Sequence, residues 1–295
     1  MFIIKYRKIF VSISAVLVTL SVLSMIFFGL NFGIDFKGGS LLEVEYTTVR
    51  PEQIIVESSI KNLSIGEALI QPMGEKGYSI KTRDITDAER VSLMQALGPS
   101  AVEKSFTSIG PSVGAELARK SIISFILVSL GIIFWIAFSF RKVSKPVSSW
   151  KYGFMAIISL VHDVVITAGI FAIISHFTGV EADTLFVVAV LTVLGLSVSD
   201  TIVVFDRIRE NIRVGHFKTF EETVGRSLDQ VYTRSIITSS TVIMVLLSLV
   251  FFGPSSTRIF SIVLTVGMFF GTYSSIFLAS PLLVMANSSQ NKKVK

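Results

Sequence analysis

Two aspartates lie inside apolar stretches of the sequence, where a carboxyl group is costly and can carry out proton chemistry. Asp200 lies in the run GLSVSDTIVVFDRIREN at 195–211, which begins apolar and ends charged. Asp163 lies in SLVHDVVITAG, in the middle of another apolar stretch. A charged side chain at the centre of a membrane helix costs about 2.5–3.5 kcal/mol on insertion scales, so ionisable residues there are functional candidates by default. The first hypothesis is therefore a proton relay through these two carboxyl groups.

Polar side chains repeat at helical spacing around both carboxyl groups. Ser159, Asp163 and Thr167 are spaced four residues apart and would share one helix face. Ser197 comes three residues before Asp200 and would lie beside it. A carboxyl group held away from water is favoured in its neutral form and can exchange a proton when water enters. The alternative is that both aspartates only join helices through interhelical hydrogen bonds.

Two basic side chains are candidate neighbours of these carboxyl groups, one on another apolar stretch and one next in sequence to Asp163. Arg234 begins a polar face that continues with Thr238 and Thr241, and an approaching guanidinium would favour an ionised carboxylate. Its place at the end of an apolar stretch favours the simpler interpretation of an interfacial arginine. His162 adjoins Asp163 but points about 100° away on a helix. This geometry predicts a contact of His162 with another helix rather than with its neighbour.

The composition is that of a membrane protein. Of the 295 residues, 51% are hydrophobic and only 16% are charged, against about 25% charged residues in a soluble domain. The chain has no cysteine, which excludes a disulfide framework and thiolate metal sites. It also has no G-x-x-x-x-G-K-[ST] motif, which excludes ATP hydrolysis through a P-loop. Most basic residues outside the long loop flank apolar runs, so no nucleic-acid partner is predicted.

Six apolar runs are long enough to cross a bilayer as helices, which takes about 20 residues. The predicted spans are 9–30, 121–140, 153–176, 184–205, 235–252 and 259–285. The remaining parts are an N-terminus at 1–8, a large loop at 31–118, and a five-helix region at 119–285 that includes a cytoplasmic loop at 206–234, followed by a tail at 286–295. The predicted fold class is an α-helical polytopic membrane protein with one domain between helices 1 and 2.

The distribution of Lys and Arg predicts the orientation. With the N-terminus inside, the basic residues of 1–8, 141–151, 206–234 and the C-terminal tail all fall on one side. The two short outside turns then hold only Arg258, while Arg119 and Lys120 at the outer end of span two depart from the rule. Both termini are therefore predicted to be cytoplasmic, and 31–118 to be exported.

The exported loop has the pattern of a small α+β domain. In SLLEVEYTT at 40–48, apolar residues alternate with Glu43 and Glu45, as in a half-buried strand. Later signals are a helix that Pro51 opens, strands near 66–73 and 76–83, a capping box at Thr86 and Glu89 that opens a second helix, and a strand at 101–109. The order β-α-β-β-α-β predicts the ferredoxin-like split βαβ arrangement.

Two glycine pairs have spacings typical of structural roles. Gly38 and Gly39 precede the first strand, where a tight turn needs the backbone freedom of glycine. Gly267 and Gly271 are four residues apart in span six and would let another helix approach closely. For the second pair, a chance coincidence in a segment that tolerates glycine is the alternative.

Several of these segments together resemble one protein family. They are GIDFKGGSLLEV after span one, TSIGPSVGAELARKSI entering span two, HDVVITAGIFAI, SVSDTIVVFDRIREN, TRSIITSS and GTYSSIFLASPLL. Their order and their places on the spans are similar to those of the smaller, SecF-type members of the SecD/SecF family, in the resistance-nodulation-division superfamily. The resemblance covers nearly the whole chain and implies six spans with one exported domain.

The resemblance also implies roles for individual residues. Asp200 matches the proton-linked intramembrane aspartate of the family, Arg234 its functional arginine, and Asp163 a recurrent feature. Leu196 and Ser199 stand where the family often has Tyr and Asn. The implied partners are SecD, the SecYEG translocon with YajC, unfolded preprotein and membrane lipid. The implied function is non-enzymatic help to protein export in the bacterial inner membrane, with the proton gradient as the energy source and no bound cofactor.

Two other functions are compatible with the sequence. One is half of a proton-coupled efflux transporter for a small solute or lipid, although the single exported domain is small for that class. The other is a passive scaffold that stabilises the translocon. The first predicts an efflux-type outer-membrane partner, and the second predicts that Asp200 is dispensable for proton flux.

Overall fold

The computed structural model describes residues 2–139, 148–215 and 217–293, with side chains up to residue 287 except that of residue 255. The chain divides into two compact units, one formed by Met1–Asn31 with Ser124–Lys295 and one by Phe32–Ile123. Each unit has its own apolar core. The basic residues at 141, 142 and 145, which contribute to the predicted orientation, lie outside the described residues.

The helices and strands follow each other in the predicted order. The first unit begins with α1 (Phe2–Lys5) and α2 (Arg7–Phe28). The second unit contains α3 (Ile34–Lys37), β1 (Gly39–Tyr46), α4 (Gln53–Ile60), β2 (Leu69–Met73), β3 (Gly77–Thr82), α5 (Asp87–Leu97) and β4 (Ala101–Ile109). The chain continues with α6 (Pro111–Ser139), α7 (Ser149–Thr178), α8 (Thr184–Val214), α9 (Phe220–Phe252), α10 (Ser255–Ser274), a π-helical turn (Ser275–Ala279) and α11 (Ser280–Lys293).

Six helical segments of the described chain are long and apolar enough to cross a membrane, which confirms the predicted number of spans. They are α2, α6, α7, α8, α9 and a sixth span over Ser256–Asn287, which combines α10, the π-helical turn and most of α11. The chain is therefore a multi-pass membrane protein. The sequence did not predict the π-helical turn, because its pattern of apolar residues differs little from that of a regular helix.

Several helices extend beyond the predicted spans. α6 begins at Pro111, inside the predicted loop 31–118, and α11 continues through most of the predicted tail to Lys293. α8 and α9 extend into the predicted loop 206–234, so that only residues 215–219 separate them. Ion pairs of Arg207 with Glu210 and of Arg209 with Asp206 stabilise the end of α8 at i,i+3 spacing. Thr219 caps α9, so both helices are stabilised outside the apolar region.

The second unit is built on a four-stranded antiparallel sheet, and α4 and α5 are the helices that connect its strands. Its strand order is β2-β3-β1-β4, which confirms the predicted ferredoxin-like arrangement. Leu42, Val44 and Tyr46 of β1 are buried in the core of the unit. Glu45 lies on the other side of the strand and forms an ion pair of 2.7 Å with Lys104.

The predicted capping box opens α5. The backbone N–H of Thr86 donates to Glu89 Oε2 at 2.8 Å, and the N–H of Glu89 donates to Thr86 Oγ1 at 3.4 Å. Arg83 also forms an ion pair with Glu89. This guanidinium and the Thr86 N–H both stabilise the ionised form, and together they lower the pKa of Glu89 to about 2.

Gly38 and Gly39 form the turn before β1, where both have positive φ angles of 78° and 131°. A Cβ on Gly38 would lie 2.7 Å from Pro111 Cα, and one on Gly39 would lie 2.7 Å from the carbonyl oxygen of Thr82. Gly114 approaches the same turn, since a Cβ there would lie 2.9 Å from Gly38 N. The segment that leads into β1 and the segment that follows β4 thus approach each other so closely that only glycine fits at these positions.

Small residues let the membrane helices approach each other closely. A Cβ on Gly267 of α10 would lie 2.2 Å from Val193 Cγ2 of α8, and a Cβ on Gly271 would lie 3.0 Å from Ser197 Cβ. This glycine pair thus faces α8 at very short range. The sequence analysis did not single out Gly169 of α7, where a Cβ would lie 2.6 Å from Ser21 Cα on the backbone of α2. Close approach through small residues is the usual way in which membrane helices associate.

Acid should weaken α5 because the low pKa of Glu89 stabilises the folded unit only while Glu89 is ionised. That stabilisation is complete above the unfolded pKa near 4.5 and is lost as the pH falls towards about 2. In the full-length protein, hydrogen-exchange protection of residues 86–97, corrected for intrinsic exchange rates, should fall over this range. Glu89→Gln should remove most of the pH dependence and Glu67→Gln, on an exposed loop of the same unit, should leave it intact. Equal pH dependence in all three proteins would contradict the assignment.

Gly267→Ala should destabilise the membrane unit, because the new methyl group would overlap the stiff side chain of Val193. Overpacking of this kind costs about 1–3 kcal/mol. Gly131→Ala on α6 is the matched control, since nothing lies within 4 Å of its Cβ position and alanine favours a helix. Thermal denaturation in detergent should show a lower midpoint for Gly267→Ala only. An unchanged midpoint would show that α8 and α10 are not in tight contact.

Candidate functional site

Asp163 lies at the centre of α7 and is fully buried. Its Oδ2 accepts hydrogen bonds from Ser197 Oγ of α8 at 2.5 Å and from Ser274 Oγ of α10 at 2.8 Å. Its Oδ1 lies 2.9 Å from His162 Nδ1. Three helices thus contribute polar groups to one fully buried carboxyl.

The π-helical turn begins directly after Ser274. The hydroxyl of Ser275 donates to the carbonyl oxygen of Thr272 at 3.0 Å, and the hydroxyl of Ser280 donates to that of Ser275 at 3.3 Å. Both hydroxyls thus bond to backbone carbonyl groups at the beginning of the π-helical turn or just before it. Single π-helical turns inside α-helices are frequent at functional sites, and this one adjoins the Asp163 carboxyl.

Asp200 lies on α8 and is half-buried. Its Oδ2 accepts hydrogen bonds from Ser239 Oγ of α9 at 3.1 Å and from Thr272 Oγ1 of α10 at 3.3 Å. Ser197, one turn before Asp200, donates to Asp163 instead, which corrects the prediction that it would accompany Asp200. Residues of α8 and α10 therefore take part at both carboxyl groups, and the two sites form one polar region of the membrane unit.

Arg234 does not join this region. Its side chain is exposed, and among the described residues no hydrogen bond or ion pair links it to Asp200. Thr238 and Thr241, which share its face of α9, are exposed too, and their hydroxyls donate to carbonyl groups of their own helix. Within this chain, the predicted polar face of Arg234 is a stripe on the surface of the membrane unit.

His162 contacts its sequence neighbour as well as another helix. The prediction from helical spacing omitted the first contact, which the 2.9 Å distance to Asp163 establishes. A rotated side chain can bring a ring nitrogen back towards the preceding or following residue, although the two Cβ atoms diverge. The predicted interhelical contact is also present, because the imidazole lies parallel to the ring of Tyr273 with centroids 6.1 Å apart.

The sequence analysis missed three of the hydroxyl donors at the two carboxyl groups. They are Ser239 for Asp200, Thr272 for Asp200, and Ser274 for Asp163. The available signal was the concentration of hydroxyl residues in TRSIITSS and GTYSSIFLASPLL within otherwise apolar spans. Periodicity could not select among them, because several serines and threonines in each segment are possible partners.

The groups that reach Asp163 from other helices are hydroxyls. The described residues contain no group of three or more His, Asp or Glu side chains that could hold a metal. A hydroxyl group can donate to a carboxylate and can also accept from a carboxylic acid. Ser197 and Ser274 can therefore satisfy Asp163 in both protonation states without a change of partner.

Comparisons with known proteins agree on one family. Residues 90–289 match the family described as "Protein export membrane protein SecD/SecF, C-terminal", and residues 23–48, which include Gly38 and Gly39, match the "SecD/SecF GG Motif". The "Protein translocase subunit SecF" of Thermobaculum terrenum is 43% identical over 96% of this chain and 92% of its own length. The protein of the same description from Anaerolinea thermophila is 36% identical over 96% of this chain and 93% of its own.

A solved structure supports the same assignment. The crystal structure of SecDF from Thermus thermophilus, described as a translocon-associated membrane protein, is 30% identical and superposes with a TM-score of 0.80. The match covers 97% of this chain and 38% of that protein. The family membership that the sequence segments predicted is thus confirmed: the chain belongs to the SecD/SecF family of protein-export membrane proteins.

Proposed function

We propose that this chain is an auxiliary subunit of the bacterial Sec protein-export machinery. With SecD, it uses the proton motive force to promote preprotein translocation and release after the SecYEG channel, in the inner membrane and with both termini cytoplasmic. The observation that carries this proposal is the enclosed carboxyl of Asp163, held by hydroxyl groups of two other spans. The translocase relatives support the role in export.

The hydroxyl surround explains how such a site can exchange protons. An arginine in direct contact would stabilise only the ionised carboxylate. The groups around Asp163 and Asp200 are instead serine and threonine hydroxyls, together with the imidazole of His162. Because these groups are compatible with either charge state, the carboxyl groups can gain and lose protons as water reaches them. Each proton that crosses then contributes about 2.3 kcal/mol per 100 mV of membrane potential.

The proposed partner is a SecD subunit that covers the polar stripe of α9. The exposed Arg234, Thr238 and Thr241 form a row on α9 that another polar membrane helix could contact, since polar side chains join membrane helices through interhelical hydrogen bonds. The solved relative, in which the matched region is 38% of the chain, supports an assembly with a second part. SecYEG, YajC, unfolded preprotein and lipid complete the proposed set of partners. The subunit acts without enzymatic catalysis and without a bound cofactor.

Asp163→Asn and Asp200→Asn should each abolish the part of export that depends on the proton motive force. Asparagine preserves size and hydrogen bonding but cannot exchange a proton. The measurement is preprotein export in cells depleted of the native subunit and complemented with each variant, with and without a protonophore. Asp206→Asn, at an exposed position of the same helix α8, should export as the parent does.

Undiminished protonophore-sensitive export by both asparagine variants would contradict the coupling role and favour a passive scaffold. Export that responds to a sodium ionophore instead of a protonophore would show that the carboxyl groups serve sodium. Loss of solute resistance with intact export would favour the efflux alternative.

The stripe on α9 should be accessible in the isolated chain and protected in the assembly. Because the chain has no cysteine, Arg234→Cys, at the exposed end of the stripe just before the predicted span, introduces a single site for a water-soluble maleimide. Labelling should be fast when the variant is produced alone and should fall when SecD is produced with it. The same variant without the partner is the control, and equal labelling in both preparations would place the partner elsewhere.

A further inference from the structure

His162 has a ring nitrogen whose role the proposed function does not explain. Nδ1 lies 2.9 Å from Asp163 Oδ1, whereas Nε2 is buried without a hydrogen-bond partner among the described residues. The side chain is only 3% exposed. Buried polar atoms of proteins nearly always have a hydrogen-bond partner, so an orphaned imidazole nitrogen demands an explanation.

The alignment of α2 with α7 indicates what lies beside this nitrogen. Ser21 of α2 lies against Gly169 of α7, and the Phe28 ring lies 4.7 Å from that of His176. Both pairs have the same difference in residue number. The two helices are therefore parallel and in a constant register, because helices of equal rise advance together along their axes.

The same register places Ser14 level with His162. Ser14 is only 2% exposed, and its hydroxyl is also buried without a partner among the described residues. Two orphaned polar groups thus lie at the same level of two helices in close contact. A hydrogen bond between Ser14 Oγ and His162 Nε2, direct or through one bridging water, would satisfy both orphaned groups.

We propose that His162 exchanges protons directly with Asp163, while Ser14 binds the other side of its ring. The proposal rests on the proposed function, because it names the group through which the buried carboxyl gains and loses its proton. With Asp163 ionised, the neutral imidazole donates from its Nδ1–H to Oδ1 and has a free lone pair at Nε2. A proton taken up at Nε2, beside Ser14, forms the imidazolium, which then passes its Nδ1 proton to Oδ1 and, as neutral imidazole with Nε2–H, accepts from the carboxylic acid. The reverse sequence returns the proton to Nδ1 and releases it from Nε2.

Among the described residues, the groups that face His162 from the neighbouring helices are hydroxyls and one tyrosine. Asp163 is the titratable group of its own helix, and Tyr273 is that of α10, with its hydroxyl directed to the carbonyl oxygen of Phe10 at 3.4 Å. α8 contributes Ser197 to the site, while its carboxyl at Asp200 is bonded to hydroxyls of α9 and α10. α2 contributes the neutral Ser14. Histidine is the side chain that most readily changes charge between about pH 5 and 8.

The test uses His162→Asn and His162→Gln in the assembled complex with SecD and SecYEG, reconstituted in vesicles. Asparagine places an amide near the position of Nδ1, and glutamine places one near that of Nε2. Each variant therefore retains one hydrogen-bonding group of the imidazole but cannot gain or lose a proton. Proton-driven export is measured from about pH 5 to 8. The pH is changed equally on both sides of the vesicle membrane while the membrane potential is held constant. His176→Asn, on the exposed last turn of α7, is the control.

The expected result is an export rate at least about tenfold lower for His162→Asn, together with loss of the pH dependence that the parent and His176→Asn show. If His162→Asn does not assemble, His162→Gln is judged by the same criteria. A parental rate and pH profile in an assembled variant would overturn the proposal. That failure is distinct from failure of the proposed function, in which Asp163→Asn itself would retain full proton-driven export.

Discussion

The packing of the membrane unit depends on the hydrogen bonds that satisfy the buried carboxyl of Asp163. Removing a carboxyl from water is costly unless its oxygens are hydrogen-bonded. Ser197 and Ser274 must therefore reach it from two other helices, at 2.5 and 2.8 Å. Such distances require helix axes that approach closely, and Gly271 allows this at the level of Ser197. Packing and polar chemistry thus depend on the same short helix separations.

The kind of group around a buried acid decides what the acid can do. Hydroxyls and an imidazole can each act as donor or acceptor, so the network around Asp163 is compatible with both protonation states. The guanidinium of Arg234 is a permanent charge and lies on the exposed face of α9, outside this network. The fixed charge is thus separated from the two acids, and the hydroxyl groups that contact them are compatible with either charge state.

The two units were predictable to different degrees because different forces specify them. In the sheet unit, alternation of Leu42 and Val44 with glutamates, and the Thr86–Glu89 capping box, are local signals that specify strand faces and a helix start. Strand order then followed from the sequence of elements. In the membrane unit, apolar length gave the number of spans but not their ends, since ion pairs and caps carry α8 and α9 beyond the apolar region.

By itself, the sequence determined the six spans, the ferredoxin-like unit, the family and the two intramembrane acids, because each depends on residues close together in the chain or on long matching segments. Only the tertiary structure decided which hydroxyl meets which acid. It gave Ser197 to Asp163, brought Ser239 and Thr272 to Asp200, and left Arg234 outside. The physical reason is that helical periodicity defines a face only relative to its own axis. The rotation and register of one helix against another come from contacts between distant residues, such as that of Ser21 with Gly169.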